Sequence, residues 1–284
     1  MQNASVLVLI GKSSTPSSLR GLAAVTRENA MHLSLLVLGT IPTIPAYSYA
    51  VGHYGTFETP LDWREDLVSS TKELHGVAQG FAAMLAEEDV EADIRVLCSD
   101  LRGLRESIVR KALTADLVIP SPDLRDEKYI FDEGLRATLF LSPSGVLLNP
   151  TADFSGLKPK RVFVAWNDGL QAARAVRTAL PLLRNADEVT LGIFDPKMTE
   201  YENGENPGSD VARWLSHQGC KVNVQQFPGG GIEIGTGILK RATECGADLI
   251  VMGAFEHSRV REMVLGGTTQ MLVEQTERQV LLAH

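Results

Sequence analysis

The sequence predicts an α/β protein built twice over, as two tandem three-layer sandwiches that each hold a mostly parallel five-stranded sheet. Three observations carry this. Short apolar runs alternate with stretches of helical periodicity along the whole chain, the pattern of strands buried on both faces and joined by helical crossovers. The run Ala115-Asp116-Leu117-Val118-Ile119-Pro120 is echoed by Ala247-Asp248-Leu249-Ile250-Val251-Met252, and Val146-Leu147-Leu148 by Val280-Leu281-Leu282. A length of 284 residues suits two domains of about 140 residues better than one, divided here as 1–150 and 151–284.

Residues 6–10 form the first buried-strand run, followed directly by Gly11-Lys12-Ser13-Ser14. A phosphate-cradling P-loop, G-x4-G-K-[S/T], requires glycine at position 6, where Val6 stands inside the strand. The stretch therefore reads as a strand end and a capped helix over 16–30. A second strand follows at 32–38. Residues 39–63 are long for a connection, rich in proline and glycine, and carry Tyr47, Tyr49, His53, Tyr54, Phe57 and Trp63. A loop of that length is commonly functional; its aromatics serve either as a contact surface or as a cover for the open end of the sheet. Leu67, Leu74, Val77, Phe81, Met84 and Leu85 then repeat at helical spacing over 66–88. Strand 92–98, helix 104–114 and strand 115–120 come next, and 146–148 closes the half.

The polar segment 149–160, with Pro150 and Pro159, leads into the second copy. Strand 161–166 precedes a helix over 171–183 with Ala172, Val176, Leu180 and Leu183 on one stripe and Pro181 as an expected kink or stop. Strand 189–194 is followed by a solvated loop over 195–208 whose acidic tract, Glu200 to Glu205, lacks a calcium-loop pattern. Helix 210–217, strand 221–226 and the glycines Gly229, Gly230 and Gly231 precede a helix with Ile234, Ile238, Ala242 and Cys245 on its buried stripe. The strand 247–252 ends on Gly253, a loop leads to Gly266-Gly267-Thr268-Thr269, and helix 268–277 and strand 279–283 finish the chain. In the first half Ser121 stands in the place of Gly253, Leu124 in that of Glu256, and Asp132-Glu133 in that of the glycine pair.

Composition excludes several functions. A formal charge of −8 and a pI near 5.3 argue against nucleic-acid and anionic-membrane partners. Cys98, Cys220 and Cys245 are too few and scattered for a disulfide framework, and their spacing holds no zinc signature. A reducing cytoplasm fits. The start lacks a basic region, and the apolar run 6–10 is too short for a signal or membrane segment.

Strand, glycine loop and helix in that order can hold an anion, because glycine admits close backbone approach and the amides of a helix start carry the positive end of its dipole. Parallel sheets bind ligands at the carboxyl ends of strands where the strand order reverses. In the second copy that edge gathers Trp166-Asn167-Asp168-Gly169, the loop after Gly253, and 266–268.

Residues 248–284 resemble the C-terminal signature of the universal stress protein family: a strand ending in Met-Gly, then G-x2-G-x9-G-[S/T], a helix and a final apolar strand. Gly253 matches the first glycine and Gly266 the third, while Gly267 and Thr268 cover the hydroxyl position; Glu256 stands at the second glycine. The resemblance implies a Rossmann-like fold of the adenine nucleotide alpha hydrolase-like type in each half, degenerate in the first. It implies adenosine contacts at Asn167, where the family has an aspartate, and at Asp168. Phosphate contacts are implied at Gly253, Gly266, Gly267 and Thr268, with His257 and Arg259 as cationic additions from the same loop. A Glu256 carboxylate about 5 Å from a phosphate would repel it by roughly 3 kcal/mol at an effective dielectric near 20.

The expectation is therefore a universal stress protein of a bacterial-type stress response that binds ATP or ADP weakly in its second half, with Mg²⁺ only alongside nucleotide. The alternative is a nucleotide-free interaction module acting through an unknown protein partner. No nucleophile, base and orienting residue can be assembled, so any ATP hydrolysis would be incidental. In family dimers the terminal strands pair across the interface. The matching strands 145–149 and 279–283 are thus expected to pair within one chain as an intramolecular pseudo-dimer, itself able to form a homodimer.

Overall fold

The computed structural model describes residues 1–43, 61–196, 206–228, 231, 233–254 and 267–284. The aromatic stretch 44–60, the acidic tract 200–205 and the loop 255–266 lie outside the described residues. With that loop go Glu256, His257, Arg259 and Gly266.

The first half runs β1 (Ser5–Ile10), α1 (Arg20–Glu28), β2 (His32–Thr40), α2 (Leu61–Glu87), β3 (Ala92–Ser99), α3 (Leu101–Ala112), β4 (Leu117–Pro120), α4 (Lys128–Leu141) and β5 (Gly145–Leu148). The second runs β6 (Arg161–Trp166), α5 (Leu170–Leu183), β7 (Glu188–Phe194), α6 (Ser209–His217), β8 (Val222–Phe227), α7 (Ile234–Glu244), β9 (Leu249–Gly253), α8 (Gly267–Glu274) and β10 (Val280–Ala283).

All strands join one sheet in the order β3-β2-β1-β4-β5-β10-β9-β6-β7-β8. Neighbours are parallel throughout, except that β5 and β10 meet antiparallel, with Val280 opposite Leu148, Leu281 opposite Leu147 and Leu282 opposite Val146. The two expected five-stranded sheets are thus continuous, and the terminal strands pair within the chain. Each half has its order reversal between its first and fourth strands: β1 with β4, and β6 with β9. Matching aspartates fix both starts. Asp116 accepts the Ser5 amide at 2.8 Å, and Asp248 accepts the Lys160 and Arg161 amides at 2.7 and 3.0 Å.

Helices cover both faces, as buried parallel strands require. Leu22 of α1, Phe81 of α2, Val176 of α5 and Leu215 of α6 share one core, with Phe154 and Leu157 of the connection between halves. Ile108 of α3, Leu135 of α4, Ile238 of α7 and Leu272 of α8 share the other. Asp100 caps α3 by accepting the Gly103 amide at 2.8 Å, which moves the helix start from the expected 104 to Leu101.

Other boundaries differ with identifiable causes. The helix expected over 16–30 is a 3-10 turn (Pro16–Leu19) followed by α1. Trp63, expected in a loop, lies in α2, its indole donating to the Pro42 carbonyl at 2.8 Å. Pro181 forfeits one intrahelical bond but α5 continues past it. Ile234, expected on a buried stripe, is 46% exposed and is the first residue of α7.

The largest correction concerns Asp132 and Glu133. The first half leaves β4 through a short 3-10 turn (Pro122–Asp126) and starts α4 at Lys128, so the pair lies inside the helix and not at the position of the loop glycines. There Glu133 is buried and forked by Arg105 of α3. The expected helix 268–277 also ends early, at Glu274. The Gln275 side chain accepts the Glu277 and Arg278 amides at 3.0 and 2.8 Å and donates to the Leu272 carbonyl at 3.3 Å, folding the chain into a turn.

Candidate functional site

The reversal between β6 and β9 places Trp166 and Gly253 side by side at the carboxyl edge, one step beyond the register pair Ala165 with Met252. Three residues then turn the chain into α5. Asn167 Oδ1 accepts the Gly169 amide at 3.2 Å, and Asp168 takes a left-handed backbone at φ 59° while its carboxylate accepts the Trp166 indole N–H at 2.6 Å. Short polar side chains tolerate such local turns. Gly253 is required by packing: a Cβ there would meet the backbone of Gln171 and Ala172 at the start of α5. This gives the glycine a role in the fold independent of any ligand.

On the opposite face α8 opens with Gly267, Thr268 and Thr269, the last buried. Helices of a parallel sheet run against the strands, so this start lies at the carboxyl edge as well. Of the expected site residues, Asn167, Asp168, Gly253, Gly267 and Thr268 therefore share one edge, the first three on or beside the β6 and β9 ends and the last two across the sheet. His257, Arg259 and Gly266 lie outside the described residues.

Structure adds groups that the sequence reading missed. Glu233, directly before α7, brings Oε1 to 3.2 Å from where a Cβ of Gly267 would stand, so a carboxylate lies at the positive pole of α8. An acid immediately before an apolar helix start was the available signal. Leu170 and Ile234, 61% and 46% exposed, open α5 and α7 at the same edge. Phe194 and Phe227, at the ends of β7 and β8, pack with centroids 5.2 Å apart, and Arg241 lies 4.7 Å over Phe227.

The equivalent crevice of the first half is filled from within. Glu127 accepts the Ser13 amide and hydroxyl at 3.0 and 2.9 Å, and Asp123 accepts the Thr15 amide at 3.0 Å. Ser14 and Ser121 join their hydroxyls at 2.7 Å beneath them. A Cβ on Gly11, the counterpart of Asn167, would collide with the Glu127 carboxylate. Amides that could receive an anionic ligand already hold two of the protein's own carboxylates. These partners are separated by 114 and 108 residues in sequence, so no local pattern announces them.

Comparison with known proteins follows the same division. The profile of the Universal stress protein family matches residues 158–284. Among curated proteins no relative matches the chain. Of solved structures, a universal stress protein from Archaeoglobus fulgidus is 15% identical, covering 100% of this chain and 99% of its own, with a TM-score of 0.67. A functionally unknown protein from Pseudomonas aeruginosa is 18% identical over 99% of this chain and 92% of its own, with a TM-score of 0.55. A putative universal stress protein from another strain of that species, 18% identical over the same shares, has a TM-score of 0.52. These likenesses extend the fold over both halves. Residues 158–284 thus match the universal stress protein family, and the first half shares the fold of its solved members.

Proposed function

We propose that the second half binds an adenine nucleotide, ATP or ADP, weakly at the carboxyl edge between β6 and β9, and that the chain serves a cytoplasmic stress response as an intramolecular pseudo-dimer with one ligand site. The carrying observation is that the Asn167-Asp168 turn, the end of β9 at Gly253 and the start of α8 at Gly267 and Thr268 share the edge where the strand order reverses. Asn167 and Asp168 offer acceptors for the nucleoside; Thr268 and the first amides of α8 offer donors for phosphate. Leu170 and Ile234 supply apolar contact for a flat base. Glu233 opposes the phosphates unless Mg²⁺, arriving with the nucleotide, lies between them. The role is binding, with any hydrolysis incidental: among the described residues of the edge no nucleophile stands with a base beside it.

Protein purified from cells and denatured for mass spectrometry should release ATP or ADP at no more than one equivalent per chain. Titration with MgATP should likewise give at most one site. Two equivalent sites would overturn the assignment of the first half, and no binding at millimolar nucleotide would overturn the proposal in favour of a nucleotide-free module.

A further inference from the structure

The far end of α8 is held by the other half of the protein. Gln275 follows the last residue of this helix, its amide still bonded to the Met271 carbonyl at 3.1 Å. Its own carbonyl is one of those that a helix terminus leaves without an intrahelical partner. Asn149, directly after β5, donates to that carbonyl at 2.8 Å and to the Arg278 carbonyl at 3.0 Å. Arg125, from the 3-10 turn after β4, donates to Asn149 Oδ1 at 2.6 Å and reaches the Gln275 carbonyl at 3.5 Å. Both side chains belong to the first half and are partly buried.

The chemistry of this contact is specific. A cation beside the last carbonyls of a helix meets the negative end of its dipole. The Arg125 guanidinium stacks 4.7 Å over the Phe131 ring, and burial pulls its pKa below the ordinary arginine value. Asn149 keeps a left-handed backbone at φ 52°, a conformation that asparagine tolerates better than most residues. The first half thus presents a cation and an amide, already bonded to each other, to the C-terminal end of an eight-residue helix. At 1.5 Å per residue the opposite end of that helix, with Gly267 and Thr268, lies only about 12 Å away.

We infer that Arg125 and Asn149 are positioning residues of the second-half site, fixing α8 so that its N-terminal amides are held for the phosphate end of the ligand. The inference rests on the nucleotide reading proposed above for what binds, but the brace can be tested without it. It gives the first half, whose own crevice is filled by Glu127 and Asp123, a continuing role in ligand binding. It also separates the two ends of the ligand: the nucleoside contacts at Asn167 and Asp168 belong to the turn between β6 and α5, which the brace does not touch.

The test uses the full chain with Arg125→Ala and, as a variant that frees the backbone from left-handed strain, Asn149→Gly. Hydrogen exchange is followed over 267–275 without ligand, and MgATP and adenosine are titrated separately. Exchange in α8 should rise about tenfold or more, the loss expected when bonds made by a charged group are removed, while exchange in β6 stays unchanged. MgATP affinity should fall about tenfold and adenosine affinity should hold. Unchanged exchange over 267–275 in both variants would overturn the brace whatever the nucleotide data show. Raised exchange with unaltered MgATP affinity would overturn the positioning role. Raised exchange in a chain that takes neither MgATP nor adenosine even unmodified would uphold the brace and remove the nucleotide reading alone.

Discussion

Removing Arg105 should destabilise the chain by about 2–3 kcal/mol. Glu133 is 4% exposed within α4, and Arg105 engages both of its oxygens, Nε on Oε1 and Nη2 on Oε2 at 3.1 Å. Without the guanidinium the carboxylate stays buried and uncompensated, which ordinarily costs about 3–5 kcal/mol. Arg105 is itself 48% exposed, so water enters from its side and screening discounts the cost to about 2–3 kcal/mol. With a urea slope of roughly 2–3 kcal/mol per molar, the midpoint should fall by about 1 M. Fluorescence reads Trp63 in the first half and Trp166 and Trp214 in the second; far-UV circular dichroism reads the whole. Because one sheet spans both halves, the two signals should shift together. Arg105→Met combined with Glu133→Leu should recover most of the loss, since apolar replacement of both members of a buried pair is near neutral. A loss below about 0.5 kcal/mol for Arg105→Ala, within the range of ordinary surface changes, would refute the reasoning.

Three further outcomes are expected. Asp153 accepts from the Thr151 hydroxyl at 2.6 Å and the Ser155 amide at 3.2 Å, which holds its carboxyl below the usual aspartate range. That stabilisation is present above about pH 4 and is lost as pH falls through the lower folded-state value. Asp153→Asn should lower stability at neutral pH and flatten the acid decline, and parallel acid profiles in urea melts would count against it. Glu233→Gln should tighten ATP binding about tenfold at low salt without affecting adenosine; titration showing weaker ATP binding instead would mean the carboxylate holds a metal or a helix start. Gly253→Ala forces a methyl onto the backbone of Gln171 and Ala172 and should cost about 1–3 kcal/mol. A thermal midpoint equal to that of the unmodified chain would contradict this.

Much of the fold was legible because apolar runs bounded by turns leave few alternatives to buried parallel strands, and the repeated Ala-Asp before β4 and β9 betrayed the duplication. Those aspartates prove to bond the amides that start the neighbouring strands, a reason for the repeat that no pattern states. Boundaries set by side chains were less visible. Asp100 lengthens α3, and Gln275 stops α8 by folding onto backbone groups three residues either side. The placing of Asp132-Glu133 failed because it matches a count back from the terminal strand, whereas α4 is a longer helix than α8 and already starts at Lys128. For the site, the reversal rule alone brought Asn167, Gly253 and Thr268 to one edge. Glu233, Glu127 and Asp123 became apparent only once separate loops were set against each other.

The antiparallel ladder of β5 and β10 has a genetic meaning as well as a structural one. Its central pair, Leu147 with Leu281, marks a local twofold relation between non-identical halves. In an assembly of identical subunits every substitution occurs twice, once on each side of the axis. Here the two halves differ in sequence, so a single codon change at Arg125 alters one side alone. Because the halves are also covalently joined, their encounter does not depend on concentration. Selection can therefore tune the brace on one side and let the crevice on the other drift, without either half losing its mate.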